Sequence, residues 1–271
     1  MNYLCVDLGG TKTLVCVLDD DKNILTQVRF ETPEHYPDFV QRLTEEIHAL
    51  PEKFQTGVMS VPGLVDQETG VVLALGNRPW TNFPLRSDIH DRTGIAMHLL
   101  NDARLATLAE GVALKDQYSR VLYVSISTGI GGGLYVDGAL DHKLDDTEFG
   151  KMPLFYEGTY QPWEEFASGR AVVARYDQRA SDISDPALWQ EISQRIAAGI
   201  GPLIATFQPD AIVFGGGAGQ EADKFAHFVR EIVEPNLHPV IRKPKAYLPT
   251  QVKDVNVIHG CYYYAKELAN A

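Results

Sequence analysis

With 271 residues the chain has room for one large domain or two lobes of ordinary size. Hydrophobic residues make up 45% and charged residues 22%, the balance of a soluble globular protein rather than a disordered or fibrous one. A net charge of −12 excludes wrapping of DNA or RNA, which is held by clustered Lys and Arg, but leaves small phosphate ligands open because backbone N–H groups can hold them.

Met1 to Asp7 has no basic leader region and runs straight into a strand, so no signal peptide is expected. No apolar run reaches the roughly 18 residues of a membrane span, and the expected compartment is the cytoplasm. Cys5, Cys16 and Cys261 stand apart along the chain and read as buried free thiols of a reducing compartment. No His/Cys spacing has the form of a zinc site.

In chain order, Tyr3 to Leu8 is an apolar strand ending in Gly9-Gly10. Lys12 to Leu18 follows as a second strand, stopped by the Asp/Asn turn 19–23, and Ile24 to Phe30 as a third, so the chain opens as a three-stranded meander. Tyr36 to Leu50 puts Phe39, Val40, Leu43, Ile47 and Leu50 on one helical face. Gly57 to Val61 reads as a strand closed by Pro62-Gly63, and Val71 to Leu75 as another. Ala96 to Leu100 is a strand that stops at Asn101-Asp102, residues able to cap a helix from Ala103 to Leu114.

The polar stretch 115–120 marks the expected lobe boundary. After it the opening plan recurs: strand Val121 to Ile126, a Ser/Thr/Gly turn, strand Leu134 to Val136, and the turn Asp137-Gly138. This weak internal repeat predicts two related lobes. Leu188 to Phe207 reads as an amphipathic helix, Ala211 to Phe214 as a strand ending in three glycines, and Lys224 to Val233 as a helix. Val255 to Ile258 is expected as a strand and Cys261 to Ala269 as the last helix. The alternation gives an α/β class.

Three glycine turns carry the chemical signal. Asp7-Leu8-Gly9-Gly10-Thr11-Lys12-Thr13 lies between two strands, which excludes the P-loop, whose glycines lead into a helix. Thr11 and Lys12 offer a hydroxyl and a charge to phosphate oxygens, and Asp7 could hold Mg2+. Ser127-Thr128-Gly129-Ile130-Gly131-Gly132-Gly133 occupies the matching place in the second lobe; so many glycines cost backbone entropy, and their usual return is close approach to a ligand. Gly215-Gly216-Gly217 sits between strand and helix, a place suited to a nucleotide base or sugar. Each alone could be a plain turn.

Taken together, these segments resemble the ROK family (repressors, uncharacterised reading frames and sugar kinases) of the actin-like ATPase superfamily. The matching pieces are the two phosphate turns, Ser60-Val61-Pro62-Gly63-Leu64-Val65-Asp66, Asn101-Asp102-Ala103, Glu148-Phe149-Gly150-Lys151, Ser168-Gly169-Arg170-Ala171 and Phe214 to Gly217, in the family's order. The resemblance implies two ribonuclease-H-like lobes with an active-site cleft between them. The lobes would be 1–114, completed by a C-terminal helix at 259–271, and 115–258. It further implies ATP-dependent phosphorylation of a hexose or hexose derivative, glucokinase-like by default, with MgATP and a sugar as partners and a homodimer as assembly state.

On local sequence Asp102 reads first as a helix cap; the resemblance makes it the general base and Asn101 a ligand of a sugar hydroxyl. It places ATP phosphates at Asp7, Gly9, Gly10, Thr11 and Lys12 and at Thr128, Gly129, Gly131 and Gly132, and the adenosine at Gly215, Gly216 and Gly217. It places the sugar at Gly63, Asn77, Asn101, Asp102, Glu148 and Glu164. Here the chain departs from the family's zinc motif. Aligned on Glu164, the three Cys positions hold Phe155, Glu157 and Pro162, and the His position holds Lys151. A zinc-free branch is therefore expected, with Phe155, Tyr156, Tyr160 and Trp163 packing in place of the metal. Lys151 would donate to a sugar hydroxyl or favour a negatively charged sugar. The alternatives are a non-catalytic sugar sensor, which in this family carries a helix-turn-helix before the first strand, and a kinase using polyphosphate, which would need a basic cluster that the sequence does not show.

Overall fold

The computed structural model describes residues 1–271 apart from 55, 77, 142, 143, 145, 146, 253, 254 and 271. Its first stretch comprises β1 (Tyr3–Leu8), β2 (Lys12–Leu18), β3 (Ile24–Glu31), α1 (Tyr36–Ala49) and β4 (Thr56–Val61). A small antiparallel sheet follows, made of β5 (Gly63–Val65), β6 (Val72–Leu75) and β7 (Thr81–Phe83). Then come α2 (Leu85–Thr93), β8 (Ala96–Asn101) and α3 (Asp102–Leu114). The five long strands form one sheet in the order β3-β2-β1-β4-β8, antiparallel through the opening meander and parallel from β1 onward.

The second stretch comprises β9 (Arg120–Ile126), β10 (Ile130–Val136), β11 (Ala139–Leu140), β12 (Pro153–Tyr156), β13 (Thr159–Pro162), α4 (Trp163–Ala167), α5 (Gly169–Tyr176) and α6 (Pro186–Phe207). It ends with β14 (Ala211–Gly215), α7 (Gly216–Gly219), α8 (Ala222–Val233) and β15 (Ala246–Pro249), and α9 (Asn256–Asn270) closes the chain. The second large sheet has the order β11-β10-β9-β14-β15, again antiparallel on one side of its first strand and parallel on the other.

By contact the chain divides into Met1–Ala109 with Asp254–Ala271, and Glu110–Lys253. The division falls inside α3, not at the polar stretch after it. The helix's last turns are tied to the second unit, where Gly111 lies so close to Tyr135 that a Cβ would meet the ring at 2.1 Å.

In the first unit, alternation along β1 sends Leu4, Val6 and Leu8 into a core with Phe39, Val40, Leu43 and Ile47 of α1. The other face carries Tyr3 and Cys5, and α9 covers it: Tyr3 and Tyr262 meet edge to face at 5.4 Å, and the Cys261 thiol lies 3.8 Å from the Val6 carbonyl. The stretch 255–258, expected as a strand, instead begins α9. Burial of Ile258, Cys261, Tyr262 and Ala265 at helical spacing outweighs the β preference of its β-branched residues. The fifth strand of the second sheet is the short Ala246–Pro249, four residues ending in proline that carry no strand signal of their own.

In the second unit, α6 and α8 pack on the sheet through Trp189, Phe214 and Phe225, with ring centroids 5.5 Å and 5.1 Å apart. Asp185 caps α6, its carboxylate accepting the Ala187 N–H at 2.9 Å. No helix among the described residues is long and apolar enough to cross a membrane.

Candidate active site

The parallel strands of the first unit end side by side, and three of the singled-out positions lie at those ends. Asp7 pairs in register with Ser60, and Val61 with Asn101, so β1, β4 and β8 deliver Asp7, Gly63 and Asn101-Asp102 to one edge of the sheet. The Ser60 hydroxyl donates to Asp7 Oδ1 at 2.5 Å. Burial pushes the Asp7 carboxyl above its ordinary value, with the Ser60 bond and Arg29 opposing.

Asn101 takes much of the capping work that Asp102 was expected to do. Asn101 Oδ1 accepts the Ala103 N–H at 2.9 Å, a bond shared with Asp102 Oδ1 at 2.9 Å, and Asn101 Nδ2 donates to the Gly63 carbonyl at 3.2 Å. Asp102 is the first residue of α3 and half-buried, so its carboxylate stands at the positive end of a helix dipole.

The Gly9–Thr11 turn has its carbonyls drawn back. Gly9 O accepts from Thr32 Oγ1 at 2.9 Å, Gly10 O from Arg78 Nε at 2.7 Å, and Thr11 O from Thr32 N at 2.9 Å. Among the described residues neither Gly10 N nor Thr11 N donates to a backbone carbonyl, and Thr11 and Lys12 are exposed. A turn so arranged offers N–H groups, a hydroxyl and an ammonium to an anion. Asn77, expected to contact the sugar, lies outside the described residues.

In the second unit, β9 and β10 form a hairpin whose turn holds Thr128 and Gly129, with Gly131 and Gly132 in β10. Ser127 N donates to Gly129 O at 2.8 Å, and Ser127 O accepts from Gly169 N at 2.7 Å, which joins the turn to the start of α5. Gly215, Gly216 and Gly217 are brought against this turn. Gly216 has φ +75°, and a Cβ there would stand 2.7 Å from Ser125 Oγ, so a side chain would be strained and obstructed.

Glu164 lies beneath the turn. It is 8% exposed, Oε2 accepts the Ile130 N–H at 3.2 Å, and Oε1 pairs with Lys151 Nζ. A Cβ would fall 2.6 Å from Glu164 Oε2 if built on Gly129 and 2.7 Å if built on Gly150, so both glycines make room for the carboxylate. The bond to Glu164 holds the Lys151 ammonium above its usual range. Lys151 is therefore engaged by a protein carboxylate, with its side chain still 61% exposed.

Glu148 stands beside this pair, at the entry to the 3-10 turn Phe149–Lys151. Although the residue as a whole is exposed, crowding by protein atoms raises its carboxyl; Lys151 opposes the rise and Glu164 adds to it.

Of the aromatic residues expected to replace the metal, two pack inward. Trp163 is fully buried and donates to Arg195 O at 3.1 Å, and Tyr156 stacks on Phe166 at 4.1 Å. Phe155 and Tyr160 pair across β12 and β13 at 5.3 Å but face outward, because residues opposite each other on a hairpin share a face. Positive φ at Glu157 and Gly158 closes that hairpin as a tight turn. Among the described residues no group of three or more His, Cys, Asp or Glu is placed to hold a metal ion.

Two side chains of consequence were not singled out from the sequence. Arg78 bonds Gly10 of the first glycine turn, and Glu110 is a fully buried carboxylate of α3. Glu110 accepts from the Thr250 hydroxyl, from Gln251 N at 2.8 Å and from Val252 N at 3.3 Å. The only sequence signal for either was a charged residue in an otherwise apolar or glycine-rich setting.

A model of the ROK family matches residues 3–267. Among curated proteins, the chain is 26% identical to a glucokinase of Streptomyces coelicolor, over 87% of this chain and 89% of that one. It is 29% identical to an N-acetylmannosamine kinase of Citrobacter koseri, over 89% and 92%. Among solved structures, a ROK family glucokinase from Streptomyces griseus in complex with glucose and AMPPNP has the same fold. Its TM-score is 0.79 at 22% identity, covering 98% of this chain and 100% of that one.

Proposed function

The chain belongs to the ROK family, and on that premise we propose that it is an ATP-dependent kinase for a hydroxyl of a neutral hexose or N-acetylhexosamine, with Asp102 as general base. The observation that carries this reading is the station at the end of β8. Asn101 both caps α3 and bonds Gly63, which holds the Asp102 carboxylate at the strand's carboxyl end.

Sugar phosphorylation needs an aligned hydroxyl, an acceptor for its proton, and positive groups around the phosphates. Asp102 takes the proton as the hydroxyl oxygen attacks; Gly63, Asn77 and Asn101 orient the acceptor, and Glu148 bonds its hydroxyls. ATP supplies the phosphoryl group, and Mg2+ would neutralise the charge on its phosphates. The residues present fit such a donor. Gly9, Gly10, Thr11 and Lys12 present N–H groups and a cation, Thr128, Gly129, Gly131 and Gly132 form a second turn, and Gly215, Gly216 and Gly217 offer a surface free of side chains. Asp7, a buried carboxylate with one hydroxyl donor, suits the outer sphere of Mg2+.

The Lys151–Glu164 pair supports a neutral acceptor, since its ammonium is already balanced by a carboxylate. Glu164 is accordingly given a place under the phosphate turn instead of the sugar contact implied by the family pattern. We include in the proposal a cytoplasmic location, consistent with three buried free thiols, and a homodimeric state.

The reading is tested by incubating the protein with MgATP and glucose, mannose, allose, fructose, N-acetylglucosamine, N-acetylmannosamine and an acidic sugar, measuring ADP and phosphosugar together. At least one neutral sugar should give both products in equal amounts. Sugar binding without product would contradict the assignment, and preference for the acidic sugar would contradict the role given to Lys151.

A further inference from the structure

Arg78 is fixed on three sides. Its Nε donates to Gly10 O at 2.7 Å, an Nη donates to Thr32 O at 2.7 Å, and its guanidinium lies 5.9 Å from the centre of the Trp80 ring. Trp80 is itself buried among Tyr36, Phe39 and Phe83 and donates to Glu34 O at 2.7 Å. Thr32, the second partner of Arg78, is the residue that draws back Gly9 and Thr11. Arg78 thus completes the set of bonds that turns every carbonyl of the Gly9–Thr11 segment away from a bound anion. A charged donor on Gly10 O also polarises the following peptide, strengthening the Thr11 N–H as a donor.

The same arginine is next in the chain to Asn77, the expected acceptor-loop residue. On the other side of Asn77, Gly76 N donates to Pro62 O at 2.9 Å, and the neighbouring Gly63 carbonyl receives Asn101 Nδ2. The two residues flanking Asn77 in the chain are therefore hydrogen-bonded, Gly76 to Pro62, next to the Gly63 that receives Asn101, and Arg78 to Gly10 of the first glycine turn. We infer that Arg78 is a positioning residue that couples the two substrates: a sugar seated on the loop fixes Arg78, and Arg78 fixes the Gly9–Thr11 turn in its phosphate-binding form. The inference rests on the kinase reading above. It adds that sugar and nucleotide bind synergistically and names the side chain responsible.

Coupling of this kind is reciprocal and measurable as a ratio of dissociation constants. The test is calorimetric titration of AMPPNP with Mg2+, with and without saturating D-glucose, or the panel sugar with the highest turnover if that differs. In the unaltered protein the sugar should tighten AMPPNP binding at least about fivefold. In Arg78→Met the ratio should fall to within about twofold of one, while the sugar alone binds within about threefold of its original affinity. Arg78→Lys serves if the methionine variant does not fold. It keeps the charge, but an ammonium lacks the planar fork that spans two carbonyls, so its ratio should also fall.

An undiminished ratio in the folded variants overturns the inference, as does a ratio of one in the unaltered protein. Product formation separates this outcome from failure of the kinase reading. Turnover without synergy removes only the coupling, whereas absence of turnover on every sugar removes the activity itself.

Discussion

The two large sheets share one strand order and present opposite chemistry where their strands end. In the first, β8 leads into Asn101-Asp102 and α3, and a half-buried carboxylate stands at a helix start. In the second, the corresponding β15 leads into Thr250, whose hydroxyl and following N–H groups close on Glu110. Both acids belong to α3: Glu110 is fully buried and accepts from Thr250, Gln251 and Val252, while Asp102 is the first residue of the helix and its Oδ1 accepts the Ala103 N–H. The two glycine turns differ in their supports. The first is held by bonds to its carbonyls, the second by a buried carboxylate and lysine from below. A repeated frame can thus be supported by unrelated side chains.

The largest expected effect on stability is at Glu110. Glu110→Ala leaves two N–H groups and a hydroxyl without their acceptor and should cost about 2–4 kcal/mol in urea unfolding. If the cost is below about 0.5 kcal/mol, the contrast with Asp102 is lost. The pH dependence sharpens it. Burial raises the folded Glu110 carboxyl above 4.5, so the folded form binds this proton more tightly than the unfolded chain does. The stability linked to that proton is present below 4.5 and lost as pH rises through the raised folded value. The stability of the unaltered protein minus that of Glu110→Gln should therefore fall across this window, and a rise would reverse the assignment.

A smaller effect is expected beneath the second turn. Lys151→Met leaves Glu164 with the Ile130 N–H but no countercharge, and the KM for ATP should rise about tenfold, roughly 1.4 kcal/mol, with sugar KM changed less. Lys151→Arg should restore most of the loss. A rise confined to the sugar KM would return Lys151 to the acceptor pocket. The smallest effect belongs to the outward face of the hairpin: Tyr160→Ala should shift stability in urea unfolding by no more than about 0.5 kcal/mol, against about 1–2 kcal/mol for Tyr156→Ala, which removes the stack on Phe166.

The recurring plan was legible because strand alternation and glycine turns are local signals. Asp7, the Gly9–Lys12 turn and the Asn101-Asp102 junction could be placed on strands and helix starts from neighbouring residues alone. Partners far apart in sequence could not. Glu110 meets Gln251 across 141 positions, Arg78 meets Gly10 across 68, and no local pattern announces either pair. Lys151 and Glu164 were each noticed, but their pairing depends on how β12 and β13 fold back between them. Val255 to Ile258 was misassigned because three β-branched residues outweighed a helical spacing that begins at Ile258. The short β15 has four residues and ends in proline, too little for a strand signal.

The central claim concerns Asp102, and Asp102→Asn tests it most directly when turnover, sugar affinity and unfolding are measured on one preparation. Turnover should fall by ~10² or more while sugar affinity stays within a few-fold and stability within about 1 kcal/mol. Near-normal turnover with a loss of helix stability would contradict the account and leave Asp102 as a cap.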